Sequence, residues 1–145
     1  MAHTADLEQQ EDFHFAIRFG EGLPPLHADE APPVGKGGGP TPDQLLAAAV
    51  GNCMSASLLF ALRKFKQAPD PIRTHVELTV GRNEQNRLRV QRIAVRITLG
   101  VAAAALQHLD RALAQFEQFC TVGESVRQGI PVDVEVYDAT GVRLK

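Results

Sequence analysis

Hydrophobic and polar residues alternate from Phe13 to Phe19, with Phe13, Phe15, Ile17 and Phe19 on one side and His14, Ala16 and Arg18 on the other. A period of two predicts a half-buried strand. The pattern then lapses through Gly20–Pro40, which is rich in Gly and Pro and reads as a long loop. A loop of that length inside a compact domain is unusual and often functional. At Thr41-Pro42-Asp43-Gln44 the signals switch to a helix start. Thr is an N-cap residue, Pro suits the first helical position and Gln at the third completes a capping box. The helix is predicted from about 42 to about 66, with Pro69 and Pro71 beyond its end, a length of roughly 35–40 Å.

Two alternating runs follow, Arg73–Gly81 with Val76, Leu78 and Val80, and Leu88–Leu99 with Val90, Ile93, Val95, Ile97 and Leu99. The polar stretch Arg82–Arg87 between them predicts a hairpin. The step from Val90 to Ile93 breaks the alternation, which predicts a bulge near Gln91. Val101–Phe119 carries Leu106, Leu109, Leu113 and Phe116 at helical spacing, so a second helix is expected there. Cys120–Arg127 reads as a short third helix closed by Gly129, and Pro131–Tyr137 as a strand built on Val132, Val134 and Val136. Asp138-Ala139-Thr140-Gly141 is a turn into a short last strand. The order β, α, ββ, α, α, ββ is that of an α+β domain.

The helix beginning at Thr41 has one unusual property. Leu45–Leu62 contains no charged residue and is apolar around most of its circumference. A surface helix shows one apolar stripe, whereas a helix apolar all round must be buried. A chain of 145 residues has little material to bury such a helix, so a second subunit is expected to cover it. Asn52, within the stretch, then needs a hydrogen-bond partner. The run touches the lower length for a membrane span. Gly51, Asn52, Ser55 and Ser57 interrupt it, however, and Arg63, Lys64 and Lys66 end it, so no membrane association is expected.

Length and composition suit one globular domain, with 44% hydrophobic and 22% charged residues. Residues 1–11 are polar and acidic and are expected to form a flexible tail, with residues 12–145 as the domain. That tail lacks the apolar run of a secretory signal, so a cytoplasmic setting is expected. The net charge is −2 and no basic cluster stands out, so nucleic acid is not an expected partner.

The chemistry-bearing residues are two cysteines, Cys53 within the long helix and Cys120 after the second. In a reducing compartment a cysteine either does chemistry or serves as a small buried hydrophobe. The two are far apart in sequence, so no CxxC motif is present. The five histidines are scattered and supply no local ligand spacing for zinc, so neither metal nor cofactor is expected. Gly35-Lys36-Gly37-Gly38-Gly39 lacks the spacing of a phosphate-binding loop and reads as a connector.

Residues Gly39-Pro40-Thr41-Pro42-Asp43-Gln44-Leu45-Leu46-Ala47-Ala48-Ala49-Val50-Gly51-Asn52-Cys53 resemble the OsmC/Ohr family: a Pro, an acidic residue, Gln/Glu-Leu, then a small-residue helix reaching a Cys. Phe119-Cys120-Thr121-Val122-Gly123-Glu124-Ser125-Val126 is similar to that family's second cysteine segment, Cys-Pro-x-Ser, and Ile130–Val136 to its closing strand. The resemblance spans roughly residues 35–137.

The resemblance implies an α+β intertwined homodimer with two long central helices and flanking antiparallel sheets. It implies thiol-dependent reduction of organic or hydrogen peroxides through a Cys53 sulfenic acid that Cys120 resolves, with a dithiol reductant, of which the lipoyl type is one candidate. It also implies that Asp43 belongs to the catalytic set by holding an Arg near Cys53. Asp43 is ten residues from Cys53, roughly 15 Å along a helix, so it acts through an intervening group or across the dimer. No glycine-arginine loop stands in the N-terminal region, which leaves Arg18, Arg127 or neither for the cationic role. The chain departs from the family pattern with Asp43 for Glu, Thr121 for Pro and Gly123 for Ser. These departures keep an alternative open: a non-catalytic binding or redox-sensing protein with an apolar pocket at the dimer interface.

Overall fold

The computed structural model describes residues 1–130 and 132–145. Three strands open the chain, β1 (Asp6–Glu11), β2 (His14–Arg18) and β3 (Leu26–Ala28). The long helix α1 (Pro42–Lys64) follows, then the hairpin β4 (Arg73–Arg82) and β5 (Leu88–Thr98). Two short helices, α2 (Leu109–Gln115) and α3 (Thr121–Gln128), end the regular structure, with single 3₁₀ turns at Ala103–Ala105 and Phe116–Phe119. Both sheets are antiparallel: β1-β2-β3 and the β4-β5 pair.

The helix start at Thr41 forms as its residue types dictate. The Gln44 N–H donates to Thr41 Oγ1 at 3.3 Å and the Thr41 N–H donates to Gln44 Oε1 at 2.9 Å, a reciprocal capping box. Within α1, Val50, Met54, Leu58 and Leu62 recur every fourth residue and are buried. They face β4 and β5, α2 and α3, and divide the core in two. Val50 and Met54 pack with Cys120, while Leu58 and Leu62 pack with Ala112. Full burial of a Leu side chain contributes about 1.5–3 kcal/mol.

The opposite face of α1 is not covered by the single chain. Ala48, Ala49, Asn52, Ala56 and Phe60 are exposed within it, as expected of a helix that one chain of this length cannot bury alone. By length and composition α1 could cross a membrane, but its four-residue stripe packs within the chain.

The hairpin forms as the alternation predicts, including its irregularity. Thr79 opposes Arg92 while Val80 opposes Val90, so Gln91 is the extra residue of a bulge. Because of it, Val90 and Ile93 avoid opposite faces of the pleat.

Several expectations are corrected. Residues 6–11 are not a loose tail: β1 pairs along β2, from Asp6 opposite Arg18 to Glu11 opposite His14. Their side chains are all exposed, so backbone pairing alone orders them and no apolar pattern marks them. The Gly20–Pro40 loop contains β3, three residues paired with β2. Its second half wraps the buried carboxylate of Asp29, which accepts N–H bonds from Glu30 (2.8 Å), Lys36 (3.2 Å) and Gly38 (3.0 Å). Those amides hold Asp29 below the usual carboxylate range, Gly38 foremost, against the opposing effect of burial.

The expected single helix over Val101–Phe119 is broken at His108, whose φ is 58°. Only its second half is α-helical. The valine run after α3 forms no strand among the described residues: Val132, Val134 and Val136 are exposed (82%, 59% and 42%). A single bridge, Tyr137 to Arg143, joins the C-terminal residues. Pro131 lies outside the described residues. Alternation supplies one apolar face, but a strand also needs a neighbour along its length, and among the described residues only Val136 and Tyr137 pair with the last residues of the chain.

Candidate active site

Cys53 lies in the middle of α1 and Cys120 stands immediately before α3. The fold brings them together. Cys53 packs against the cluster of Val50, Met54 and Cys120, both cysteines are unbridged, and Cys120 is fully buried while Cys53 is partly exposed. The placement follows from two local features. The four-residue stripe of α1 faces α3, with Cys53 at its margin. The 3₁₀ turn at Phe116–Phe119 ends in extended backbone at Cys120 (φ −81°, ψ 97°), which starts α3 toward α1.

Cys120 is also the N-cap of α3, its sulfur accepting the Gly123 N–H at 3.3 Å. The first amides of α3 therefore converge on the thiol pair. Burial pushes the Cys53 thiol up. The neighbouring Val122 N–H, the Cys120 thiol and the Gly123 and Thr121 N–H groups favour its charged form and outweigh burial, so Cys53 lies below the ordinary thiol value. Cys120 moves the other way. Burial, the bond to Cys53 and the Cys53 charge raise it, against the Gly123 N–H and the Ser57 hydroxyl.

This arrangement answers a difficulty set by the sequence. Cys53 is too far along α1 to feel the N-terminus of its own helix. The N-terminus of α3 reaches it instead, in the manner that lowers thiol pKa values at helix starts. The signal was present in the residues after Cys120, which open a helix, but the distance in sequence hid which cysteine those amides would serve. Ser57, one turn beyond Cys53 and beside Cys120, was likewise not singled out.

Both candidate arginines are engaged with carboxylates. Arg18 pairs with Glu8 on the exposed three-stranded sheet at 3.3 Å. Arg127, near the end of α3, is tied to Glu124 and to Glu117, the latter at 3.5 Å. Asp43 is exposed in the first turn of α1, and ten helical residues, roughly 15 Å, separate it from Cys53.

Beside the thiols a cavity of about 520 Å³ opens between α1, β5 and α3. Val50, Met54, Val95, Ile97 and Val126 are among its walls, with Arg127 at its side. Met54 and Gly123, both among its walls, meet closely: a Cβ on Gly123 would run into Met54 Cε and lie 2.9 Å from Cys120 Sγ. Gly123, where the family pattern has Ser, is thus matched to Met54. Among the described residues no group of three or more His, Cys, Asp or Glu side chains converges.

A partly exposed, lowered thiol beside a buried, raised one can support a two-step thiol redox cycle. The first sulfur is the better thiolate, and the second is within reach to displace whatever forms on it.

Comparison with known proteins agrees with the architecture. The superposition on an OsmC-like protein of unknown function from Vibrio cholerae has a TM-score of 0.71 at 15% identity, covering 86% of this chain and 93% of that one. An organic hydroperoxide resistance protein OsmC from Legionella pneumophila gives 0.62 at 17% identity, over 88% and 90% of the two chains. The organic hydroperoxide resistance protein OhrB of Bacillus subtilis gives 0.65 at 13%, over 88% and 91%. At these identities the likeness is one of fold. Comparison with curated protein sequences finds no match. The family model described as "OsmC-like protein" matches residues 35–135, a stretch that contains both cysteines, α1 and the hairpin. With the α+β fold of antiparallel sheets and helices shared with these structures, the chain belongs to the OsmC-like protein family.

Proposed function

We propose that the protein reduces hydroperoxides, with Cys53 as the peroxidatic thiol and Cys120 as the resolving one. The observation that carries this reading is the packing of the partly exposed Cys53 against the buried, unbridged Cys120 at the start of α3, and the lowered Cys53 thiol agrees with it. The Cys53 thiolate attacks the terminal oxygen of ROOH. The O–O bond breaks, Cys53 becomes a sulfenic acid, and the alkoxide takes a proton to leave as ROH. The Cys120 sulfur then attacks the sulfenic sulfur, forming a disulfide and releasing water. A dithiol, of which a lipoyl group is one type, returns both cysteines to thiols. No cofactor enters the cycle, and a cytoplasmic setting would keep the resting pair reduced.

A second copy of the chain completes this reading. The outer face of α1 and Phe60 and Phe119 (59% and 64% exposed) form an apolar surface, and Val132 and Val134 are exposed on an alternating segment. An intertwined homodimer would cover both. It is also the arrangement through which Asp43 would reach Cys53, since its own helix holds it roughly 15 Å away.

The test is to add one equivalent of cumene hydroperoxide to the reduced protein, then count thiols and measure intact mass. Loss of both thiols, with a mass lower by two hydrogen atoms per chain, is expected. Unchanged thiols over minutes would overturn the reading. The 520 Å³ cavity favours the second reading, a redox-sensing protein that binds an apolar ligand. In that case peroxide turnover is absent and a bound ligand raises the melting temperature.

A further inference from the structure

Both thiols lie close to the 520 Å³ cavity, yet its walls include neither of them. Met54 and Gly123 are among its walls. Against these two residues lies Cys120, fully buried. The Met54 methyl and the Cys120 sulfur both crowd the position a Gly123 Cβ would take, so the methionine side chain stands directly against the buried thiol. Met54 itself is 7% exposed and belongs to the same cluster as Cys120. Cys53, its neighbour in sequence, is turned about 100° around the helix and retains partial exposure.

We infer that Met54 is a plug that separates the cavity from Cys120 and thereby determines that an oxidant meets Cys53 first. The inference rests on the two-cysteine peroxide reading for its purpose, but its physical content does not depend on turnover. Order matters in such a cycle. A sulfenic acid formed on Cys120, fully buried, would be out of reach of an external reductant, whereas one on Cys53 has Cys120 waiting beside it. A long, unbranched and flexible side chain suits the task, because it fills an irregular gap without fixing its neighbours. Gly123 is what leaves room for it. A Ser there, as in the family pattern, would compete with the Met54 methyl for one space.

The inference makes Met54 a determinant of which thiol reacts, without contact with the reacting peroxide. The test uses the full chain in a Cys53→Ser background, so that Cys120 is the only thiol left, and follows its alkylation by iodoacetamide with mass spectrometry. Met54→Ala removes the plug and Met54→Val shortens it, while Met54→Leu refills most of the volume. Circular dichroism and melting temperature verify that each variant is folded, and Met54→Val decides if Met54→Ala does not fold.

Alkylation of Cys120 is expected to be slow with Met54 or Leu and to rise roughly tenfold or more in the opened variants, as access controls thiol reactivity. Unchanged rates in folded Met54→Ala and Met54→Val overturn the inference. So does a Met54→Leu rate as high as that of Met54→Ala, since loosening rather than opening would then be the cause. Failure of the peroxide reading has a different signature: a wild-type chain that keeps both thiols in hydroperoxide, whatever the alkylation rates.

Discussion

The backbone nitrogen of Gly123 lies 3.3 Å from the sulfur of Cys120 and donates its hydrogen to it. The same amide is among the donors that lower Cys53. One N–H group thus caps α3 through Cys120 and lies near enough to favour the Cys53 thiolate.

The first prediction concerns thiol order. In the reduced protein, site-resolved alkylation against pH should show Cys53 reaching its plateau below the ordinary thiol value of about 8.5 and Cys120 above it. The signs follow from the causes: amide donors favour the Cys53 thiolate, while burial and the adjacent Cys53 charge disfavour the Cys120 thiolate. Coincident inflections would contradict this ordering.

Gly51 is buried in mid-helix, where alanine is ordinarily the better residue by roughly 0.5–1 kcal/mol. A Cβ at 51 would meet Val76 Cγ2 of β4 at 2.5 Å. Neither backbone nor the short Val side chain yields easily, and overpacking costs about 1–3 kcal/mol. Gly51→Ala should therefore destabilise by about 1 kcal/mol net in urea denaturation. Gly51→Ala combined with Val76→Ala should show favourable coupling. A stabilised Gly51→Ala protein would refute the close approach of α1 to β4.

Leu62 is fully buried between α1, α2 and β5. Leu62→Ala should cost about 2–5 kcal/mol, read as a shift in denaturation midpoint with unchanged slope. The Cys53 alkylation profile should be preserved, because Leu62 belongs to the other half of the core.

Asp29 organises the loop ahead of α1 through three amides. Its carboxyl is lower in the folded chain than unfolded, so its contribution is present above the ordinary carboxylate range near pH 4 and lost as pH falls through the folded value. Asp29→Asn should lower the melting temperature at pH 7, and the difference from wild type should shrink toward acid. A difference independent of pH would mean that the amides do not depend on the charge.

The parts of this molecule legible in its sequence are those set by neighbours in the chain. The capping box of Thr41 and Gln44, the hairpin and the bulge at Gln91 all follow from spacing within about a dozen residues. What escaped depends on partners. Residues of β1 carry no apolar pattern, because only their backbone is engaged. β3 is three residues long, below what periodicity can mark. The helix expected across His108 breaks at a left-handed residue that no Gly or Pro announces. At the site, two cysteines in recognisable contexts sufficed to nominate the pair. Which of Arg18, Arg127 or neither lies at Cys53 was left open by the sequence, and the amides of α3 come near that thiol only when α1 and α3 meet.

The cap on α3 also makes its own state observable. The electron density on the Cys120 sulfur sets how well it accepts the Gly123 proton. Thiol, thiolate and disulfide should therefore leave different chemical shifts and exchange rates on that one amide. A single backbone resonance, remote from any added label, would then report the redox state of the centre in an otherwise unmodified protein.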